Sequence, residues 1–179
     1  MMTIKKNIYL IGLMGTGKTS IGRMLAQELN STFYDSDSEI EKRTGVSVSW
    51  IFDVEGEHGF REREARVIAE LAQNKGIVLA TGGGSVLLPE TCQLLKSTGY
   101  IIYLQAPPGL LVERTRTKTN RPLLRDVAVE EKLTQLLHER EELYKQLADL
   151  VYNTGTGSIP KIVQIIHRDF KNQGWLLSS

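Results

Sequence analysis

The chain has 179 residues, 41% of them apolar and 24% charged, which suits one packed domain and excludes wholesale disorder. A net charge of +1 supplies no overall field for nucleic acid or an acidic membrane, so neither is expected as a partner. The single cysteine, Cys92, permits no internal disulfide. No apolar run approaches the ~18 residues of a membrane span, and Ile8-Tyr9-Leu10-Ile11 is too short for the apolar core of a signal peptide, so a cytoplasmic location is expected.

Along the chain, short apolar runs alternate with helical patterns. Strands are predicted at 7–11, 32–35, 76–81, 100–104 and 150–153, each apolar enough to be buried on both faces of a parallel sheet. Helices are predicted at 18–29, 57–73, 109–116, 129–146 and 159–170; in the first, Ile21, Leu25 and Leu29 recur every four residues on one face. Strand–helix alternation implies right-handed crossovers and a three-layer α/β sandwich. No repeat interrupts the pattern. The stretch 115–126 differs, with four positive charges, a proline and little apolar periodicity. It reads either as an exposed connection or as a lid over phosphates.

The first strand runs into Gly12-Leu13-Met14-Gly15-Thr16-Gly17-Lys18-Thr19, a full match to G-x-x-x-x-G-K-[ST] between a strand and a helix. Glycines let successive N–H groups converge on phosphate oxygens, and the helix start adds its positive dipole end. Lys18 would neutralise the β- and γ-phosphates, and the Thr19 hydroxyl suits Mg²⁺, a hard cation. Gly15, Thr16, Gly17, Lys18, Thr19 and Ser20 therefore form the expected ATP site, with one Mg²⁺ accompanying the nucleotide.

A guanine-nucleotide switch is the rival class, and its signatures are misplaced. Asn74-Lys75-Gly76-Ile77 lacks the aspartate of Asn-Lys-x-Asp and precedes a strand, and Asp53-Val54-Glu55-Gly56 sits among helical residues. Asp35-Ser36-Asp37 follows the second strand, where α/β sheets bind ligands. It reads equally as a carboxylate pair serving the metal and an attacking hydroxyl, or as a helix cap. Thr81-Gly82-Gly83-Gly84-Ser85 ends the third strand and suggests a ligand close to the main chain. Arg61 and Arg140 lie among acidic neighbours, as surface ion pairs often do. Another small-molecule kinase, for gluconate or a nucleotide, remains open on these motifs.

The chain resembles the shikimate kinase family over roughly 7–166. The likeness rests on the phosphate loop, Phe33-Tyr34-Asp35-Ser36-Asp37, Ile40-Glu41-Lys42-Arg43-Thr44-Gly45, and Ile51 to Arg61. Ala80 to Ser85, Arg121-Pro122-Leu123-Leu124, and Glu139-Arg140 with Leu143-Tyr144 complete it. The resemblance implies a P-loop NTPase-type fold like that of nucleoside monophosphate kinases. Its parallel sheet would have five strands in the order 2-3-1-4-5, with an acceptor-binding subdomain (33–61) and a lid (112–127). It implies phosphoryl transfer from ATP to the shikimate 3-hydroxyl, by a monomer serving aromatic amino acid synthesis. Asp37 would act on the reacting hydroxyl, alongside Lys18 and Arg121 as catalytic groups. Asp35 would join Thr19 near the metal, and Arg114 would lie near adenine. Arg61 and Arg140 would grip the substrate carboxylate, and Gly82, Gly83 and Gly84 would offer N–H groups. The glycine-rich stretch 153–158 fits the family poorly, so no side chain is assigned there, and the tail 174–179 extends beyond the match.

Overall fold

The computed structural model describes residues 2–116 and 128–178. Strand β1 (Met2–Ile4) precedes β2 (Asn7–Ile11), the phosphate-loop turn and helix α1 (Lys18–Glu28). Then come β3 (Thr32–Asp35), α2 (Ser36–Thr44), α3 (Val48–Leu71) and β4 (Ile77–Ala80). A 3₁₀ turn (Ser85–Leu87) leads to α4 (Pro89–Thr98), β5 (Gly99–Gln105) and α5 (Pro108–Arg116). The chain ends with α6 (Val129–Leu147), β6 (Leu150–Asn153), α7 (Ile159–Asn172) and β7 (Leu176–Ser178).

The main sheet is parallel throughout, in the order β3-β4-β2-β5-β6. Counted among its five strands that order is 2-3-1-4-5, as the resemblance implied. The central strand β2 is buried at every residue, and its side chains alternate between two cores because successive strand residues face opposite sides. Ile8 and Leu10 join Ile21 and Leu25 of α1 and Ile162, Ile166 and Phe170 of α7. Tyr9 and Ile11 join Ile68 and Leu71 of α3, Leu95 of α4 and Tyr144 of α6. Each fully buried aliphatic side chain of this kind contributes about 1.5–3 kcal/mol. A third cluster around Leu13, Leu111 and Leu133 packs α5 and α6 beneath the phosphate loop.

Three features depart from the sequence reading. Helix α3 begins at Val48, nine residues before the predicted start at 57; Ser47 caps it by accepting Trp50 N–H at 3.1 Å. Gly56 (φ 72°, ψ −180°) divides it into two helical halves. Helix α4 was not predicted; only Thr91 and Leu95 of its ten residues are buried. The tail left unassigned in the sequence folds back as β7, antiparallel to β1, with Ile4 opposite Leu176. There Trp175 stacks on Tyr100, ring centroids 3.8 Å apart and nearly parallel.

The site follows from the topology. The carboxyl ends of β2, β3 and β4 lead directly into the phosphate loop, Asp35 and Thr81. Neighbouring parallel strands therefore deliver these three segments to one edge of the sheet.

Candidate active site

Gly15 (φ 83°) and Gly17 (φ 94°) take left-handed conformations that curl the phosphate loop, and Gly17 caps α1. Thr16 braces the loop from inside, its Oγ1 donating to Leu13 O at 2.8 Å. Lys18 Nζ donates to Gly12 O at 2.7 Å and Leu13 O at 2.9 Å, so the ammonium lies across the loop. Thr19 Oγ1 donates to Asp35 Oδ2 at 2.7 Å.

The helix-cap reading of Asp35-Ser36-Asp37 is realised, on one oxygen of Asp35. Asp35 Oδ1 caps α2 by accepting Asp37 N–H at 3.1 Å and Ser38 N–H at 3.3 Å. Asp35 Oδ2 faces Thr19. The cap also anchors the first turn of α2, from which Asp37 enters the cavity beside Gly82.

Arg61 and Arg140 come from different helices, yet both line the same cavity and both are nearly buried. Arg61 Nη1 donates to Glu64 Oε2 at 2.9 Å, and its Nη2 to Glu57 Oε1 at 3.1 Å. The same Glu57 oxygen lies 3.9 Å from Arg140 Nη2. The triple glycine is held from behind. Gly82 N–H donates to Glu64 Oε1 at 2.9 Å and to Ser36 Oγ at 2.9 Å, and the Tyr144 hydroxyl donates to Gly83 O. Burial pushes the Tyr144 hydroxyl far above the ordinary tyrosine range, so it remains a donor. Tyr103, stacked on Tyr144, is likewise pushed up to about 12, by burial first and by Glu141 second.

Arg114 reaches across to Gly15 O (3.1 Å) and Thr154 O (3.0 Å), tying α5 to the loop after β6. Thr154 Oγ1 in turn donates to Thr16 O at 2.8 Å.

One cavity of about 810 Å³ is lined by Gly15, Thr16, Gly17, Lys18, Thr19, Ser20, Asp35, Asp37, Arg61, Gly82, Gly83, Gly84, Arg114 and Arg140. Every site residue expected from the sequence is thus brought together except Arg121, which lies with 117–127 of the expected lid outside the described residues. Two contributors escaped sequence reasoning. Glu64 read as one more surface acid beside Arg61, yet it is 1% exposed. Its spacing from Phe60, Ile68 and Leu71 places it on the apolar stripe of α3, and a carboxylate there is a usable signal. Thr154 sits in the stretch to which no side chain was assigned. Cys92 is excluded from the chemistry: its thiol donates to Val86 O at 3.2 Å, and burial pushes it up, away from the nucleophilic thiolate.

Comparison with known proteins agrees with this geometry. The shikimate kinase family model matches residues 14–171. The chain belongs to the shikimate kinase family. The shikimate kinase of Thiobacillus denitrificans is 49% identical over 166 residues, covering 93% of this chain and 91% of its own length. Shikimate kinase 1 of Citrobacter koseri is 51% identical over 168 residues, covering 93% and 97%. Among solved structures, the shikimate kinase from Acinetobacter baumannii in complex with shikimate superposes with a TM-score of 0.91 at 43% identity, over 94% of each chain. The span matched to the shikimate kinase model contains every cavity residue from Gly15 to Thr154 named above.

Proposed function

We infer that this chain transfers the γ-phosphate of ATP to the 3-hydroxyl of shikimate, giving shikimate 3-phosphate and ADP on the route to chorismate and the aromatic amino acids. The observation that carries the residue assignments is one cavity lined by both a phosphate loop and two nearly buried guanidinium groups. A triphosphate at the loop and a carboxylate at the arginines leave the acceptor hydroxyls facing Asp37.

In this reading Gly15 to Ser20 cradle the triphosphate, and Lys18 exchanges its loop carbonyls for phosphate oxygens. Arg61 and Arg140 grip the shikimate carboxylate through charge-assisted hydrogen bonds, and the N–H groups of Gly83 and Gly84 face the acceptor, that of Gly82 being taken by Glu64 and Ser36. Asp37 orients the reacting hydroxyl and accepts its proton, and Arg114 borders the adenine site. Residues 33–61 form the acceptor-binding portion; the expected lid, 112–127, lies from 117 onward outside the described residues, and with it Arg121, its group for the transferring phosphate. Little covalent work is required of the protein, so catalysis rests on positioning and electrostatics.

Thr19 and Asp35 bring two oxygens together, 2.7 Å apart, of the kind Mg²⁺ prefers, and these residues would hold one such ion beside the nucleotide. Among the described residues no group of three or more His, Cys, Asp or Glu could cage a metal. The protein would therefore supply these oxygens and the nucleotide the others. Bound there, the ion would neutralise charge on the triphosphate. All assigned residues belong to one chain, so a monomer suffices. Among the described residues no helix is long and apolar enough to cross a membrane, in keeping with a cytoplasmic enzyme.

ADP release measured with and without shikimate tests the reading directly. Release is expected to depend on shikimate, and Asp37→Asn is expected to reduce kcat at least a hundredfold, the scale of a general-base contribution, with the thermal midpoint retained. Substantial turnover in Asp37→Asn would confine that residue to a structural part in α2.

A further inference from the structure

Glu57 opens the second half of α3, immediately after the Gly56 break. Its Oε1 lies 3.1 Å from Arg61 Nη2 and 3.9 Å from Arg140 Nη2, so one carboxylate oxygen faces both guanidinium groups. The arginines are nearly buried, whereas the Glu57 side chain is 45% exposed. Arg61 is already paired from the interior by Glu64. Buried Nε groups of Arg61 and Arg140 have no hydrogen-bond partner among the described residues, so the pair retains donor capacity.

We propose that Glu57 is an internal counter-ion that stands in for the substrate carboxylate between Arg61 and Arg140, is displaced when the acid binds, and so sets the affinity for it. The proposal rests on the reading of these arginines as the carboxylate grip. Two guanidinium groups faced by Glu64 and Glu57 are already neutral as a set. A substrate carboxylate added beside a stationary Glu57 would meet a like charge, which disfavours binding. Glu57 is the partner able to leave, because it is the exposed one; Glu64 is locked by Arg61, Gly82 and Ser36. Release costs little. The incoming carboxylate takes over both guanidinium groups, so neither nearly buried charge is left unpaired, and at the start of a helical segment a carboxylate turned to solvent remains favoured by the dipole. A neutral resting site also discourages small anions, which lack hydroxyl contacts to offset the displacement.

Calorimetric titration of shikimate and of its uncharged methyl ester into wild type, Glu57→Gln and Arg61→Ala tests this at low ionic strength. Glu57→Gln is expected to tighten shikimate about twofold to fivefold and to leave the ester unchanged. Unchanged or weaker shikimate binding in Glu57→Gln, with Arg61→Ala weakened, overturns the counter-ion role alone and makes Glu57 a brace for Arg61. Equal tightening of the ester would also overturn it, since the effect would not be one of charge. Full shikimate affinity in Arg61→Ala removes the carboxylate grip, and the counter-ion with it.

Discussion

Glu64 lies four residues after Phe60 and four before Ile68, on the side of α3 that packs against the sheet, and it is 1% exposed. Burying a carboxylate costs several kcal/mol unless it is paired and hydrogen-bonded. Here one oxygen holds Arg61, and the other accepts Gly82 N–H and Ser36 Oγ–H. That arrangement fixes the Arg61 guanidinium against the glycine segment so closely that a Cβ added at Gly84 would overlap its central carbon. Gly84→Ala is therefore expected to displace the guanidinium rather than the sheet. Losing charge-assisted hydrogen bonds worth about 1.5–3 kcal/mol should raise the shikimate KM at least about tenfold, with the ATP KM within about twofold. Steady-state kinetics in both substrates checks it, and an unchanged shikimate KM would show that Arg61 has slack. At this scale the phosphate loop was legible because its motif lies between a strand and a helix, whereas spacing left Asp37 even with a helix cap and Arg61 and Arg140 as surface ion pairs until the family resemblance gave them roles. Glu64 was missed because its pairing with Arg61 three residues earlier reads like a surface ion pair, and only its place on the apolar stripe of α3 tells the two apart.

Helices and strands differ in how openly they declare themselves. The five sheet strands were legible because each is a short apolar run, and β2 alternates its side chains between two cores without exception. Helix α7 was equally clear, with Ile162, Ile166 and Phe170 on one buried face. Helix α3 was mislocated because Gly56 interrupts its period and Glu55-Gly56-Glu57 reads as a boundary. Gly56 has φ 72° and ψ −180°, a region open essentially to glycine alone. No atom lies within 4 Å of a Cβ built there, so any cost of a side chain is conformational and not steric crowding. Gly56→Ala is expected to lower folding stability by about 1–3 kcal/mol, read as a lower urea midpoint at constant slope. The same turn sets the angle at which the second half of α3 presents Glu57 and Arg61, so the shikimate KM should rise as well. Wild-type stability in this variant would mean that the chain reaches the same path through an ordinary conformation.

Across the whole molecule the sheet separates chemistry from closure. Its carboxyl ends carry the phosphate loop, Asp35 and the triple glycine, whereas the β1–β7 ribbon lies at its amino ends, since only Lys5 and Lys6 separate β1 from the first residue of β2. Trp175 joins that ribbon to the domain. Its ring stacks on Tyr100 in β5 and lies 5.2 Å from Phe170 of α7, and its carbonyl accepts Lys5 N–H at 3.0 Å. None of this was legible in Gly174-Trp175-Leu176-Leu177, because a three-residue strand has no period to read and its partner lies at the opposite end of the chain. Aromatic pairs add about 0.5–1.5 kcal/mol beyond the area they bury, and Trp175 makes two such contacts while half-buried. Trp175→Ala is expected to cost about 2–3 kcal/mol, seen as a lower thermal midpoint. Below that midpoint kcat and both KM values should match wild type, because the ribbon lies at the end of the sheet opposite the cavity and the central strand between them is buried. A change in the shikimate or ATP KM without loss of stability would contradict that division and couple the ribbon to the site through β2 or β5.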